Sequence, residues 1–192
     1  MSYTQFRDAD ALLTQFDATT HYTRLFNEAK PLEPSSRLVS YLEMREFIGA
    51  VSEKSRCELI VMPILGDIAL RHTGKISLHS GITMEGDKTK GLTGECDFLF
   101  SAMPDILVLR APVFSITEAK KQDFEHGLPQ CMAQLLGAQL YNERKNRPIK
   151  TIFGCVTTGN EWQFLKLEEK LFTIDTPTEF KIIYRNSHQS II

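Results

Sequence analysis

The sequence contains no long apolar run, no excess of positive charge and no closely spaced pair of cysteines. No apolar run approaches the roughly 18 residues needed to span a bilayer. The first residues also lack the basic and apolar regions of a signal peptide, so we expect a cytoplasmic protein with no membrane association. A formal net charge of −2 argues against a broad basic face for gripping nucleic acid.

Several kinds of site are also poorly represented. The four cysteines stand far apart, each within an apolar segment, which favours reduced core thiols over zinc ligands or disulfides. The five histidines show no metal-ligand spacing, and the glycines of residues 81–94 form no phosphate-cradling loop ahead of a helix. Any chemistry must therefore come from other side chains.

Length and composition predict one domain. The chain has 192 residues, of which 42% are hydrophobic, and it shows no internal repeat. We expect a single domain over residues 1–192, with an N-terminal helical segment at about 1–35 that ends in a proline-containing break. Further helices are expected after two capping serines, Ser36 and Ser52, and Pro63 should kink or split the second of them.

The second half of the chain alternates strands and helices. A hairpin is expected from Ile76 to Phe100, because two apolar runs flank a turn rich in glycine and lysine. The remaining elements predicted are strands at 106–109, 113–118, 151–158 and 162–167, and a helix from about Gln130 to Lys145. This order predicts an α/β protein with a mixed central β-sheet flanked by α-helices.

Two neighbouring strands of this sheet carry acidic residues. Asp97 lies in one strand, and Glu118 and Lys120 end the next. Side chains of a strand alternate between its faces, so Glu118 and Lys120 should point the same way and Ala119 the other. Two adjacent carboxylates form a hard oxygen site suited to Mg²⁺ or Mn²⁺, and a lysine beside them supplies a movable positive charge.

The tripeptide Glu-x-Lys is not specific by itself. Four other copies occur, beginning at Glu28, Glu143, Glu168 and Glu179. The copy at Glu143 closes a helical pattern, and the other three lack an upstream strand that carries an acid. Context therefore selects the copy at Glu118.

These features together resemble the PD-(D/E)xK superfamily, the restriction-endonuclease-like nucleases, over roughly residues 40–185. The resemblance depends on Glu95-Cys96-Asp97-Phe98 as the acid strand and Thr117-Glu118-Ala119-Lys120 as the Glu-x-Lys strand. The segment from Ser52 to Leu65 is similar to the family's first core helix, and the helix that carries Gln130 and Gln134 follows the strands in the family's order. No proline precedes Asp97; the position holds Cys96.

The resemblance implies a restriction-endonuclease-like core and a Mg²⁺-dependent (or Mn²⁺-dependent) nuclease acting on DNA. Asp97 and Glu118 would bind one or two ions, with the Ala119 carbonyl as a further ligand, and the ion would activate a water for attack on the phosphodiester. Lys120 would orient that water or stabilise the charge that develops on the phosphate.

The resemblance leaves several points open. The first-helix acid is Glu53 or Glu58, and Glu53 fits better by its distance from Pro63. Gln134, or Gln130 one turn earlier, would contact the water or the phosphodiester backbone. Many members of the family pair to cut two strands, so a homodimer is one option. The alternative function is an inactive module of the same fold that serves in nucleic-acid binding or protein assembly.

Overall fold

The chain forms an α/β structure, seen in a computed structural model that describes residues 2–30, 32–44, 47–120 and 124–176. A short 3₁₀ turn precedes the first helix, and a π-helical segment joins α3 to α4. The elements in chain order are the 3₁₀ turn (Tyr3–Gln5), α1 (Ala9–Phe16), β1 (Thr19–Thr23), α2 (Ser36–Met44), α3 (Glu53–Arg56), the π segment (Cys57–Val61), α4 (Met62–Arg71), β2 (Ser77–Asp87), β3 (Leu92–Ser101), β4 (Val113–Ala119), α5 (Phe124–Arg144), β5 (Thr151–Thr157), β6 (Trp162–Glu168) and β7 (Leu171–Asp175).

The strands of the described residues form one seven-stranded sheet in the order β1-β7-β6-β5-β4-β3-β2. The pairs β1–β7 and β4–β5 are parallel, and the other neighbours are antiparallel. The predicted α/β class with a mixed sheet flanked by helices is therefore confirmed. This order places β4, which carries Glu118, between β3 and β5 near the middle of the sheet.

Helices cover the two faces of this sheet unequally. The long helix α5 packs against β2, β4 and β5 on one face, where it buries the larger hydrophobic core. On the other face, Val61 and Leu65 pack against Phe98 and Phe100 of β3 in a smaller core cluster. Because burial of apolar surface is the main favourable contribution to folding, α5 is the principal support of the strands that carry the acids.

The helical region before the sheet begins at Ser52, as predicted. The Ser52 hydroxyl accepts a hydrogen bond from the Ser55 amide at 3.0 Å, and the Ser55 hydroxyl accepts one from the Ser52 amide at 2.9 Å. The distortion expected at Pro63 takes the form of the π segment directly before it. Proline has no N–H to donate to the preceding turn, and a wider turn accommodates that loss.

The N-terminal region departs from the predicted helical segment in three ways. Helix α1 covers only Ala9–Phe16 of the helical segment expected at about 1–35, and the Asp8 carboxylate caps it by accepting from two amides of its first turn. The cap of α2 is Ser35 rather than Ser36, since its hydroxyl accepts from the Leu38 amide at 3.1 Å. Residues 1–35 also contribute the edge strand β1.

Two predictions in the second half of the chain were wrong. Residues 106–109 form bends rather than a strand, because the Asp105 carboxylate accepts from the amides of Leu107 and Val108, and Leu107 is 88% exposed. Local side-chain hydrogen bonds of this kind compete with strand pairing. Helix α5 begins at Phe124, six residues before the predicted start, and it contains Pro129.

The cysteines of the chain are not paired with one another. All four cysteines are free thiols, three of them buried, as expected. Among the described residues, none of the helices has both the length and the apolar content that crossing a membrane requires. The Glu179 copy of Glu-x-Lys and the basic residue Lys121 lie outside the described residues.

Candidate metal and phosphodiester site

The site begins with Asp97, whose carboxylate reaches across to the next strand. Its Oδ2 accepts a hydrogen bond from the backbone amide of Ala119 at 2.8 Å. The β3–β4 register pairs Phe98 with Thr117, so one further step places Asp97 opposite Glu118. The two predicted acids are therefore neighbours across the sheet.

A local irregularity in β3 surrounds Asp97. Cys96 and Leu99 both belong to the core that faces α5, whereas Phe98 packs on the opposite side, so the alternation of faces breaks at Asp97. Pairing with β2 is interrupted at the same point, where the facing residue is Gly81 with φ of +61°. Glycine adopts this conformation at little cost, and such irregularities reorient side chains next to active sites.

Glu118 is the most buried acid of the site. Its side chain is 2% exposed, and each carboxylate oxygen has a partner. Oε1 lies 2.6 Å from the Lys120 ammonium, and Oε2 accepts from Nε2 of Gln134 at 2.7 Å. Ala119 instead packs in the smaller core on the other side of the sheet. The predicted alternation of Glu118 and Lys120 against Ala119 is thus confirmed.

Helix α5 supplies two glutamines to this cluster from positions one turn apart. Gln130 accepts from the Lys120 ammonium at 3.1 Å, and Gln134 donates to Glu118. Residues four apart lie on one face of a helix, which explains why both reach the same site. Within the described part of the chain, Oε1 of Gln134 is buried without a hydrogen-bond partner. An unsatisfied buried acceptor is costly and often marks a functional position.

Backbone and packing contacts hold Lys120 in place. Its amide donates to the Thr157 carbonyl at 2.8 Å, which continues the β4–β5 pairing beyond the end of β4. A Cβ at Gly127 would lie 3.0 Å from Cγ of Lys120 and 2.6 Å from a methyl carbon of Val156. The absence of a side chain at Gly127 therefore leaves the space that the lysine stem requires.

Burial and neighbouring negative charges raise the pKa of both carboxyl groups. Burial, followed by the nearby charge of Asp97, raises the pKa of Glu118 to about 7, although Lys120 and Gln134 partly oppose the shift. Burial also raises the pKa of Asp97, against the hydrogen bond from Ala119 and the charge of Lys120. Buried carboxylates of this kind are typical of catalytic and metal-binding sites.

Lys120 is the positive charge that balances this cluster. Burial alone would lower its pKa, but Glu118, Asp97 and Glu53 outweigh that effect and raise it. The ammonium is therefore charged at neutral pH. When all three acids are ionised, one lysine facing three carboxylates leaves an excess of negative charge, which favours an additional cation.

The structure places the two candidate first-helix acids differently. Glu53 lies close enough to act electrostatically on both Asp97 and Lys120. Glu58 pairs with Lys54 at 3.8 Å, and both side chains are largely exposed. Glu53 is therefore the better placed of the two, although its own side chain is exposed.

Cys57 and Gly127 belong to the surroundings of the site, and sequence reasoning assigned neither to it. Burial, then the charge of Asp97, raises the pKa of Cys57 to about 12, so this half-buried thiol stays protonated. Cys57 comes four residues after Glu53, which was a signal that both share a helix face. Gly127 precedes the predicted helix start at about Gln130, so the sequence offered no reason to place it at the site.

The donors that could hold a metal are few. The described residues contain no group of three or more His, Cys, Asp or Glu side chains able to hold a metal ion. Asp97, Glu118 and the Ala119 carbonyl offer hard oxygen atoms, and Mg²⁺ is often held by one or two carboxylates while it keeps several waters. The chemistry of these donors fits Mg²⁺ or Mn²⁺ with water completing the shell.

Comparison with known proteins gives no assignment, because no model of a protein family and no curated protein sequence matches this chain.

Proposed function

We propose that this protein is a divalent-metal-dependent phosphodiesterase of the PD-(D/E)xK kind that cleaves DNA. The observation that carries the proposal is the cluster formed by Asp97 in β3 with Glu118 and Lys120 at the end of the adjacent strand β4. The cluster contains a buried glutamate of raised pKa beside a charged lysine. DNA as the substrate depends on the resemblance alone.

The order of elements supports the same proposal. The helical region from Glu53 to Arg71 precedes the β2–β3 hairpin, β4 follows with the Glu-x-Lys end, and α5 leads into the parallel neighbour β5. The resemblance implies this order for a restriction-endonuclease-like core. The resemblance also implies an acid on the strand before the Glu-x-Lys strand, and Asp97 lies in β3, directly before β4 in the chain.

Asp97, Glu118 and the Ala119 carbonyl are the groups that would hold Mg²⁺ or Mn²⁺, and Glu53 could act through a bound water. When bound, the ion would polarise the scissile phosphate and lower the pKa of a water ligand. Asp97 is already oriented by the Ala119 amide, and Glu118 by Gln134. Such fixed partners reduce the reorganisation needed to bind a cation.

The chain's own polar groups have distinct roles in this mechanism. Lys120 is charged and 20% exposed, so its ammonium can turn from Glu118 toward a phosphate oxygen and stabilise developing negative charge there. Gln130 holds the lysine from the helix side. The unpaired Oε1 of Gln134 offers a hydrogen-bond acceptor that would orient an attacking water.

A specific observation favours the alternative, a non-catalytic module. Both oxygens of Glu118 are already satisfied, by Lys120 and Gln134, and the described residues contain no three-group metal cluster. A site of this composition could be a buried polar network that only stabilises the fold. Binding to nucleic acid or to a protein would then not depend on a metal.

Metal titration combined with a cleavage assay separates the two functions. Asp97→Asn removes the negative charge but keeps an oxygen that can accept from the Ala119 amide. The matched control is Glu95→Gln, which removes the charge of an exposed acid two residues away in the same strand. For the enzyme we expect Mn²⁺ binding by calorimetry and cleavage of DNA in wild type and Glu95→Gln, with both lost in Asp97→Asn.

The assay includes double-stranded DNA, single-stranded DNA and RNA, each with and without a chelator. Cleavage of RNA alone would contradict DNA as the substrate but not the chemistry. Equal Mn²⁺ affinity in Asp97→Asn and wild type, without cleavage of any substrate, would support the non-catalytic module.

A further inference from the structure

The loop between β3 and β4 carries an exposed apolar tip, residues 106–108. Ile106, Leu107 and Val108 are 76%, 88% and 55% exposed. None of the three belongs to either core cluster of the described residues. Single exposed apolar residues are ordinary on a protein surface, but three in a row at the tip of one loop mark a surface that contacts another molecule.

The backbone of the apolar tip is already hydrogen-bonded within the loop. The Asp105 carboxylate accepts from the amides of Leu107 and Val108 at 3.1 and 3.2 Å, and it forms an ion pair with Arg110 at 2.5 Å. An unpaired amide or charge is costly in an apolar medium. These two amides and this acid therefore keep their partners when water leaves the tip.

The base of the loop is attached to the rest of the fold on two sides. The Ala102 amide donates to the Pro112 carbonyl at 2.9 Å, which closes the loop next to β4. The Tyr141 hydroxyl of α5 donates to the Leu109 carbonyl, also at 2.9 Å. The apolar tip is therefore held in a defined position relative to the C-terminal end of α5.

A basic stretch lies beside the loop, in the turn that joins α5 to β5. The Lys145 ammonium lies 5.9 Å from the centroid of the Tyr141 ring, the residue that holds the loop. Arg147 and Lys150 follow in the same turn. All three cations are exposed, and none of them forms an ion pair with another described residue. Glu143 is the exposed acid of this stretch, so positive charge prevails.

This combination of charge and apolar surface fits an anionic membrane better than a protein partner. Consecutive side chains in a bend point in several directions, and a bilayer accommodates all of them, whereas a protein would need a shaped pocket for each. A stable protein interface also takes about 20–30 residues from each side, far more than this tip offers. Anionic headgroups attract Lys and Arg side chains near the membrane surface.

We propose that the apolar tip and the adjacent cations Lys145 and Arg147 bind the surface of an anionic membrane, with residues 106–108 inserted below the headgroups. The proposal departs from the expectation of no membrane association, which came from the lack of a spanning segment and of a signal peptide. Neither is needed to bind the surface of a bilayer.

The proposed membrane surface is separate from the carboxylate cluster. The loop leads into Val113 at the start of β4, and Glu118 lies about 17 Å farther along that strand. Binding of a membrane at the tip would leave the carboxylates accessible. The inference therefore does not depend on the proposed enzyme function.

Co-sedimentation of the full-length protein with vesicles tests the apolar part of the proposal. We expect binding to vesicles of phosphatidylcholine and phosphatidylserine in equal amounts, and little binding to phosphatidylcholine alone. Leu107→Ser should weaken the binding about tenfold, because a leucine side chain no longer leaves water. The matched control is Leu32→Ser, which changes a leucine that is 71% exposed elsewhere on the chain and should leave the affinity within about twofold.

The same assay tests the contribution of charge. Arg147→Ala should weaken binding about fivefold, and added salt should weaken it further in the wild type. Arg37→Ala in α2 removes an exposed arginine outside the basic stretch and is the matched control. Equal binding by Leu107→Ser and Leu32→Ser, or by Arg147→Ala and Arg37→Ala, would overturn the proposal.

A fluorophore on the tip measures insertion directly. Leu107→Cys, labelled with an environment-sensitive dye, should shift its emission to the blue with the anionic vesicles only, and Leu32→Cys should not shift. The native thiols should label slowly, because three are buried and burial raises the pKa of Cys57 to about 12. A shift with a soluble copolymer of glutamate and leucine, but none with vesicles, would overturn the proposal in favour of an acidic protein partner.

Discussion

Lys120 and Glu118 form an ion pair in which Nζ lies 2.6 Å from Oε1, in a place where the glutamate is 2% exposed. The lysine does not fully compensate the cost of burying this carboxylate, because Asp97 stands nearby and the pKa of Glu118 still rises to about 7. A purely structural ion pair would be expected to hold its glutamate ionised well below neutrality. The pair therefore has the character of a site that can take up a further positive charge.

The raised pKa of Glu118 predicts a pH dependence of stability. The folded protein binds the Glu118 proton more tightly than the unfolded chain, whose glutamate titrates near 4.5, so the free energy of unfolding should fall as pH rises from 4.5 through about 7. This contribution should be on the order of 3 kcal/mol and should level off above pH 7. Chemical denaturation at a series of pH values, with Glu118→Gln for comparison, measures it. An identical pH dependence in both proteins would show that Glu118 is not perturbed.

Replacement of Lys120 by Ala should lower any DNA cleavage by at least roughly a hundredfold, because the charge that stabilises the transition state is lost. We expect Mn²⁺ affinity to change little, since no metal donor is removed. Lys166→Ala is the matched control, because Lys166 forms a similar pair with Glu168 at 2.7 Å on strand β6. Equal loss of cleavage in both variants would indicate a general effect of charge rather than a role for Lys120.

The relative directions of the site residues could be predicted because they depend on local rules. Strand alternation alone places Glu118 and Lys120 on one side of the sheet. Serine capping alone places the start of α3 directly after Ser52. The detailed position of Asp97 could not be predicted in the same way. It depends on the interruption opposite Gly81, a pairing between strands that no single segment encodes.

The parts that sequence reasoning missed depend on long-range or competing interactions. Strand β1 pairs with β7, for example Thr19 with Leu171, and this parallel contact joins opposite ends of the described chain. Residues 106–109 have the composition of a strand, yet the amides of Leu107 and Val108 donate to the Asp105 carboxylate instead of to a neighbouring strand. Helix α5 continues through Gly127 because close packing against Lys120 and Val156 outweighs the low helix propensity of glycine.

Substitution of Gly127 by Ala tests how tightly the lysine is held. The new Cβ would lie 2.6 Å from Val156 Cγ1, so the helix or the strand must shift, and we expect a loss of about 1–3 kcal/mol in stability. Displacement of the Lys120 stem should lower cleavage as well. Gly66→Ala in α4 is the control, because nothing lies within 4 Å of its Cβ and alanine should stabilise the helix by up to about 1 kcal/mol. Thermal unfolding distinguishes the opposite signs, and a Gly127→Ala protein as stable as wild type would show that this contact is not constrained.

The choice between Glu53 and Glu58 gives the final prediction. Glu53 acts electrostatically on Asp97 and Lys120, whereas Glu58 is engaged with Lys54 on an exposed part of the helix. If Glu53 holds the metal through a water ligand, Glu53→Gln should weaken Mn²⁺ binding about 10-fold to 100-fold. Glu58→Gln removes an equal charge from the same helical region and should leave the affinity within about twofold, because exposed charges at longer range are screened by salt. Calorimetry on the two variants at one ionic strength compares them directly, and a larger loss in Glu58→Gln would assign the role to Glu58 instead.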